Sequence, residues 1–195
     1  MWARLRQRRL QSRAERWVVI GLGAQYEGTR HNVGFRCVDL LAKECGIALN
    51  ERRRLAVLGQ GRVEGSEAAL AKPRTYVNRS GEAAAYLRQR FGAPLSRMLV
   101  LLDDMDLPLG RIRIRPSGGS GGHNGLNSIN ASLGSQDYPR LRIGVGRPES
   151  GAIAHVLGGF SPGEQEAVDA ALAQAVEAVK VIIASGVDAA MNEYN

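Results

Sequence analysis

Four stretches of this 195-residue chain hold side chains able to move a proton or polarise a carbonyl. They are His31 in GLGAQYEGTRHNVGF, Asn78 in KPRTYVNRSG, Asp103 at the head of DDMD, and His123 with Asn124 in SGGSGGHNG. An imidazole works as a base near neutral pH, and a carboxylate on its far nitrogen fixes the tautomer and stabilises the imidazolium. Carboxamides can donate to a developing oxyanion or orient a water. No obvious serine or cysteine nucleophile accompanies these groups, so the chemistry they suit is attack by an activated water. Each residue also has a plain structural use. Loop histidines are commonly inert, Asn78 could form a turn, Asp103 or Asp106 could cap a turn or helix, and Asn124 could be a helix N-cap.

These residues can converge only if the elements before them point the same way. WVVIGL (17–22) reads as a buried strand ending just before His31. Cys37, Val38, Leu41 and Cys45 recur at helical spacing, with Gly46 at the helix end, and both cysteines read as core. LAVLGQGRV and AALAK read as strands around a turn at EGSE, and SGEAAAYLRQRFG as a helix closed by Gly92. RMLVLLDD and RLRIGVG are apolar strands, while GRIRIRP alternates arginine with isoleucine as a half-exposed strand does. LNSINASLG is a short helix after the glycine-rich loop. FSPGEQ opens a helix of about 24 residues with a capping box at Ser161 and Glu164 and proline in the first turn. The expected fold is a single α/β domain with a central mixed sheet flanked by helices. Ligands in such sheets gather beyond the carboxyl ends of strands, where His31, Asn78, Asp103 and the His123–Asn124 loop all fall.

Composition narrows the function classes. A hydrophobic content of 44% and a charged content of 23% fit a soluble globular domain, and no apolar run is long enough for a membrane span. Two cysteines outside any CxxC pair make a reduced, cytoplasmic setting the default. GLGAQY lacks the third glycine of a dinucleotide fingerprint, the glycine-rich loop lacks the lysine of a P-loop, and no spacing suggests a metal cage. No cofactor or metal is expected. The net charge of +7 is uneven, with six arginines against one glutamate in residues 1–16 and an acidic C-terminal quarter. Residues 1–16 read as a disordered, dispensable arm, with an organellar transit peptide or an upstream start as alternatives. Arg111, Arg113 and Arg115 on one strand face suit a phosphate backbone, though such a row can also be a solvated face.

Five segments together resemble the bacterial-type peptidyl-tRNA hydrolase family: GTRHNVGF, KPRTYVNRSG, LLDDMDLPLGRIRIRPSGGSGGHNGLNSI, YPRLRIGVGRP and HVLGGFSP. The resemblance spans residues 17–195 in the family's order and implies a catalytic domain of that extent. It implies a monomer that hydrolyses the ester between a peptide and tRNA after aborted translation. By position, His31 is implied as the general base and Asp103 as the carboxylate behind it, with Asp104 and Asp106 as local rivals. Asn78, Asn124, His123, Tyr26 and Tyr76 are implied to line the substrate, and Arg113, Arg115 and Arg142 to meet tRNA phosphates. GLG runs straight into AQY where the family usually has Asn-Pro-Gly before the residues matching Ala24–Tyr26. That asparagine helps the family distinguish blocked peptidyl-tRNA from free aminoacyl-tRNA, so its loss bears on substrate discrimination. The other reading is a catalytically weakened RNA-binding relative, like the family's organellar splicing-factor branch.

Overall fold

The computed structural model describes residues 16–24, 28–147 and 151–195, so of the basic arm only Arg16 is described. A seven-stranded mixed sheet forms the centre, in the order β2-β3-β4-β1-β5-β7-β6. Its strands are β1 (Trp17–Gly21), β2 (Glu51–Arg52), β3 (Ala56–Val63), β4 (Ser66–Pro73), β5 (Met98–Asp104), β6 (Ile112–Arg115) and β7 (Arg140–Gly144). β4, β1, β5 and β7 run parallel, whereas β2, β3 and the far edge strand β6 pair antiparallel with their neighbours. The parallel core explains why its strands read as unbroken apolar runs: both faces are covered.

Helices α1 (Val33–Glu44) and α5 (Pro162–Ser185) cover one face, and α2 (Ser80–Phe91) and α3 (Asn124–Leu133) the other. Strand alternation divides the core accordingly. Val19, Leu70, Leu101 and Leu141 pack with Val38, Leu41 and Val179 on the first face. Val18, Ile20, Val100 and Leu102 pack with Leu87 and Leu126 on the second. Helix α5 opens as its sequence suggests, the Ser161 N–H donating to Glu164 Oε2 at 2.8 Å.

The structure refines several local expectations. The β3–β4 turn is only Glu64 and Gly65, with φ of 47° and 75°, so Ser66 and Glu67 belong to β4. A two-residue turn of that conformation matches the twist of paired strands. Cys37 is fully buried, whereas Cys45 is only partly buried at the core margin. β2, α4 (Ala152–Leu157) and α6 (Val187–Tyr194) were not expected from the sequence, being too short to show a period.

Two close approaches set the site. A Cβ on Gly34 would stand 2.4 Å from Leu22 O and 2.5 Å from Leu101 O, so α1 sits directly on the end of β1 and the middle of β5. A Cβ on Gly81 would stand 2.1 Å from Ser128 O, and the Gly81 N–H donates to Ser128 Oγ at 2.9 Å. Only glycine allows either contact.

Candidate active site

His31 occupies a single 3₁₀ turn, Arg30–Asn32, between β1 and α1. Its Nδ1 lies 2.7 Å from Oδ1 of Asp103, the penultimate residue of β5. The Asp103 side chain is 3% exposed and that of His31 13%, so solvent reaches the ring and not the carboxylate. The same Oδ1 lies 3.0 Å from His123 Nε2, and the two rings stand 5.3 Å apart. Burial by itself would raise the Asp103 carboxyl, but hydrogen bonds from His123 and His31 outweigh it and hold the group well below the usual carboxylate range. Asp103 is therefore a fixed anion that accepts from two imidazoles.

His123 is the N-cap of α3, its Nδ1 accepting from the Gly125 and Leu126 N–H groups at 3.1 and 3.3 Å. The cap thus sits one residue before Asn124, which is the first residue of the helix. Two donors on Nδ1 leave the ring proton on Nε2, and that proton points at Asp103. An ionised carboxylate only accepts, so His31 presents Nδ1–H to Asp103, and in the neutral ring Nε2 then carries the lone pair. His31, Asp103 and His123 offer ligand atoms within 4.8 Å of one another, the spacing of a small metal site. A ligating nitrogen needs a lone pair, however, and His123 has spent its own on the cap. The cluster as built handles protons.

Asn124 follows His123 directly at the start of α3. Asn78 and Asn124 are both exposed, and the 3₁₀ turn Val77–Arg79 that carries Asn78 packs beside α3. The Gly81 contact holds these two turns together. Tyr76 is 65% exposed, a large aromatic surface left open to solvent. Tyr26 lies outside the described residues, as does Gln25 of the shortened loop. Asn32 Oδ1 accepts from Ala24 N–H at 2.7 Å and ties the end of β1 to the His31 turn. Of the rival acids, Asp104 pairs with Arg142 at 3.1 Å and Asp106 with Arg147 at 2.9 Å, both away from the histidines.

Beside Asp104 lies a cleft of ≈ 410 Å³ whose lining includes Arg113, Arg115, Arg140, Arg142 and the glycine loop. Arg113 and Arg115 point outward and are exposed. Arg142 is more constrained, donating to Asp104 Oδ2 at 3.1 Å and to Gly119 O at 3.0 Å. Sequence reasoning overlooked Arg140, which is fully buried. Its guanidinium stacks 4.3 Å from the Tyr138 ring centroid and donates to carbonyls of Gln136, Tyr138, Gly118 and Gly119. It anchors the loop that delivers His123. Arg30 went unnoticed too: it is buried, lies 4.7 Å from the Phe160 ring and bonds Glu164 at 2.8 Å, fixing the His31 turn to the start of α5. Neither arginine stands out in a chain with 26 basic residues.

Fold and site define an α/β domain that carries an imidazole–carboxylate–imidazole cluster at the end of its parallel strands. The chain belongs to the peptidyl-tRNA hydrolase family, whose family model matches residues 18–195. It is 48% identical over 181 residues to the peptidyl-tRNA hydrolase of Desulforudis audaxviator, covering 91% of this chain and 92% of that one. The Thermoanaerobacter sp. (strain X514) protein of the same name is 44% identical over 182 residues, covering 92% and 99% of the two. The crystal structure of peptidyl-tRNA hydrolase from Acinetobacter baumannii superposes with a TM-score of 0.87 at 35% identity, covering 92% of this chain and 94% of that chain.

Proposed function

We infer that this chain hydrolyses the ester linking a peptide to tRNA, with His31 as general base. The observation that carries the assignment is the 2.7 Å bond from His31 Nδ1 to Asp103, which leaves Nε2 free to receive a proton. A water polarised by Nε2 attacks the ester carbonyl carbon, and the carbon–oxygen bond to the ribose then breaks. The proton taken from water passes from His31 to the departing ribose oxygen, giving a free peptide acid and tRNA. Asp103 stays ionised and stabilises the imidazolium between these events. Asn78 and Asn124 donate amide hydrogens to the substrate, and Tyr76 offers it an aromatic surface.

Arg113 and Arg115 meet tRNA phosphates from the edge of the arginine-lined cleft, and Arg142 shapes its floor. The alternative of a non-catalytic RNA binder is not favoured, because both catalytic positions are kept with hydrogen-bonded geometry. Action as a monomer is part of this reading, as the family resemblance implies. Among the described residues no helix is long and apolar enough to cross a membrane. Such an enzyme would act where translation occurs, in the cytoplasm. The test is release of free tRNA from N-acetylated peptidyl-tRNA. His31→Ala should lower the single-turnover rate by about 10²–10⁴-fold with tRNA affinity kept, and activity within tenfold of the parent would remove His31 from the role.

A further inference from the structure

Strand alternation sends the two clefts flanking His31 to opposite faces of the sheet. Leu102 packs on the α2–α3 side, so Asp104, two residues on, looks to that side as well. Leu141 and Ile143 pack on the α1–α5 side, so Arg140 and Arg142, alternating with them, also look to the α2–α3 side. Arg113 pairs across from Arg142 and Arg115 from Arg140, which keeps all four arginines on one face. On the other face, Leu70 packs with α1 and α5, and Lys72 follows it on the same side. There a second cavity of ≈ 550 Å³ opens between the start of α1 and strands β2–β4, lined in part by Asn32, Phe35, Arg36, Arg52, Lys72 and Arg74. Its volume lies within the range of about 300–1,000 Å³ typical of ligand sites. It begins at Asn32, the chain neighbour of His31.

The catalytic cluster stands on the sheet's end, and the two cavities include Asp104 and Asn32, the chain neighbours of Asp103 and His31. A peptidyl-tRNA ester has two arms, and they leave its carbonyl in different directions. We propose that the α1–β4 cleft receives the peptide arm and favours acidic side chains upstream of the esterified residue. This rests on the hydrolase reading above, with tRNA on the Arg113–Arg115 face. Among the described residues lining the cleft the one carboxylate, Asp39, is bonded to Lys72, and Arg36 is paired with Asp169 outside it. Arg52 and Arg74 have no carboxylate partner among the described residues, and Arg74 spends one nitrogen on Arg53 O at 2.9 Å. Their remaining donors suit a carboxylate, while Phe35, Val57 and Pro73 supply apolar surface for the peptide stem. The sheet end separates these cations from Arg113 and Arg115, so one phosphate backbone tracking the first cleft does not continue into the second.

The experiment uses one tRNA esterified with N-acetyl-Glu-Glu-Phe, N-acetyl-Gln-Gln-Phe or N-acetyl-Lys-Lys-Phe. The parent should cleave the Glu-Glu substrate with the highest kcat/KM, through KM. Arg52→Gln and Arg74→Gln should each cut the Glu-Glu to Gln-Gln ratio by about threefold, the size of one exposed ion pair. Arg74→Glu should move the preference towards Lys-Lys. A KM that rises equally for all three substrates would assign the cations to tRNA and overturn the proposal. So would ratios unchanged in every variant. Failure of the parent to cleave any of the three would overturn the hydrolase reading and the cleft assignment with it.

Discussion

His123 shows how one side chain can serve backbone and chemistry together. Its Nδ1 caps α3 and its Nε2 bonds Asp103. Asparagine is a good cap but cannot reproduce an imidazole N–H at the same reach, so two substitutions separate the roles. His123→Ala should destabilise the fold by about 1 kcal/mol and His123→Asn by less, read from denaturant midpoints. Both should lower kcat, by about tenfold, because each removes a bond to a charged acceptor. Equal stability loss in the two variants would contradict the capping role. Glu164 is a second residue with a measurable signature, since bonds from Arg30 and Ser161 hold its carboxyl at about 2. A carboxyl depressed in the folded state stabilises fully above its unfolded pKa and loses that contribution as pH falls towards the folded value. Parent stability should thus decline from about pH 4.5 down to pH 2, with Asp103 contributing in the same direction. Melting temperatures between pH 6 and 3 should fall less steeply in Glu164→Gln than in the parent.

At the scale of elements, the glycine contacts matter more than hydrophobic pattern for bringing distant turns together. Gly81→Ala would press a methyl onto Ser128 O, and α2 and α3 would have to part. The expected cost is about 1–3 kcal/mol of stability. Because Asn78 and Asn124 ride on the turns beside that contact, KM should rise as well, which steady-state kinetics would detect. The parallel strands and longer helices were legible in the sequence because periodicity and caps mark them, as at Gly92 and Ser161. His31 and Asp103 could be read as partners from their places after β1 and at the end of β5 together with the family resemblance. The bond from His123 to Asp103 was not legible, because it depends on which way a glycine loop folds back. Arg140, which fixes that fold, has carbonyl partners that no residue pattern encodes. Asn32 and Gly34 likewise matter through backbone proximity, which hydropathy does not report.

Across the whole molecule, the proposed tRNA contacts of the arginines have a measurable salt signature. Replacing Arg113 and Arg115 together should weaken tRNA binding and reduce the slope of log affinity against log salt by about two. Titrations at several salt concentrations would test this, and an unchanged slope would place the tRNA on another face. β6, which carries both residues, is the sheet's last strand, and its outer backbone is engaged at Ile114 by the Asn195 side chain. There Oδ1 accepts from Ile114 N–H at 2.7 Å and Nδ2 donates to Ile114 O at 3.1 Å. An unprotected terminal strand is a template onto which another molecule's strand can add, and outward charges discourage that stacking. The arginines proposed to meet tRNA thereby also deter self-association. Neutralising them would strip one safeguard from the strand and leave the Asn195 amide as the other, so loss of solubility in such variants, worst when Asn195 is also replaced, would mark self-pairing at this edge.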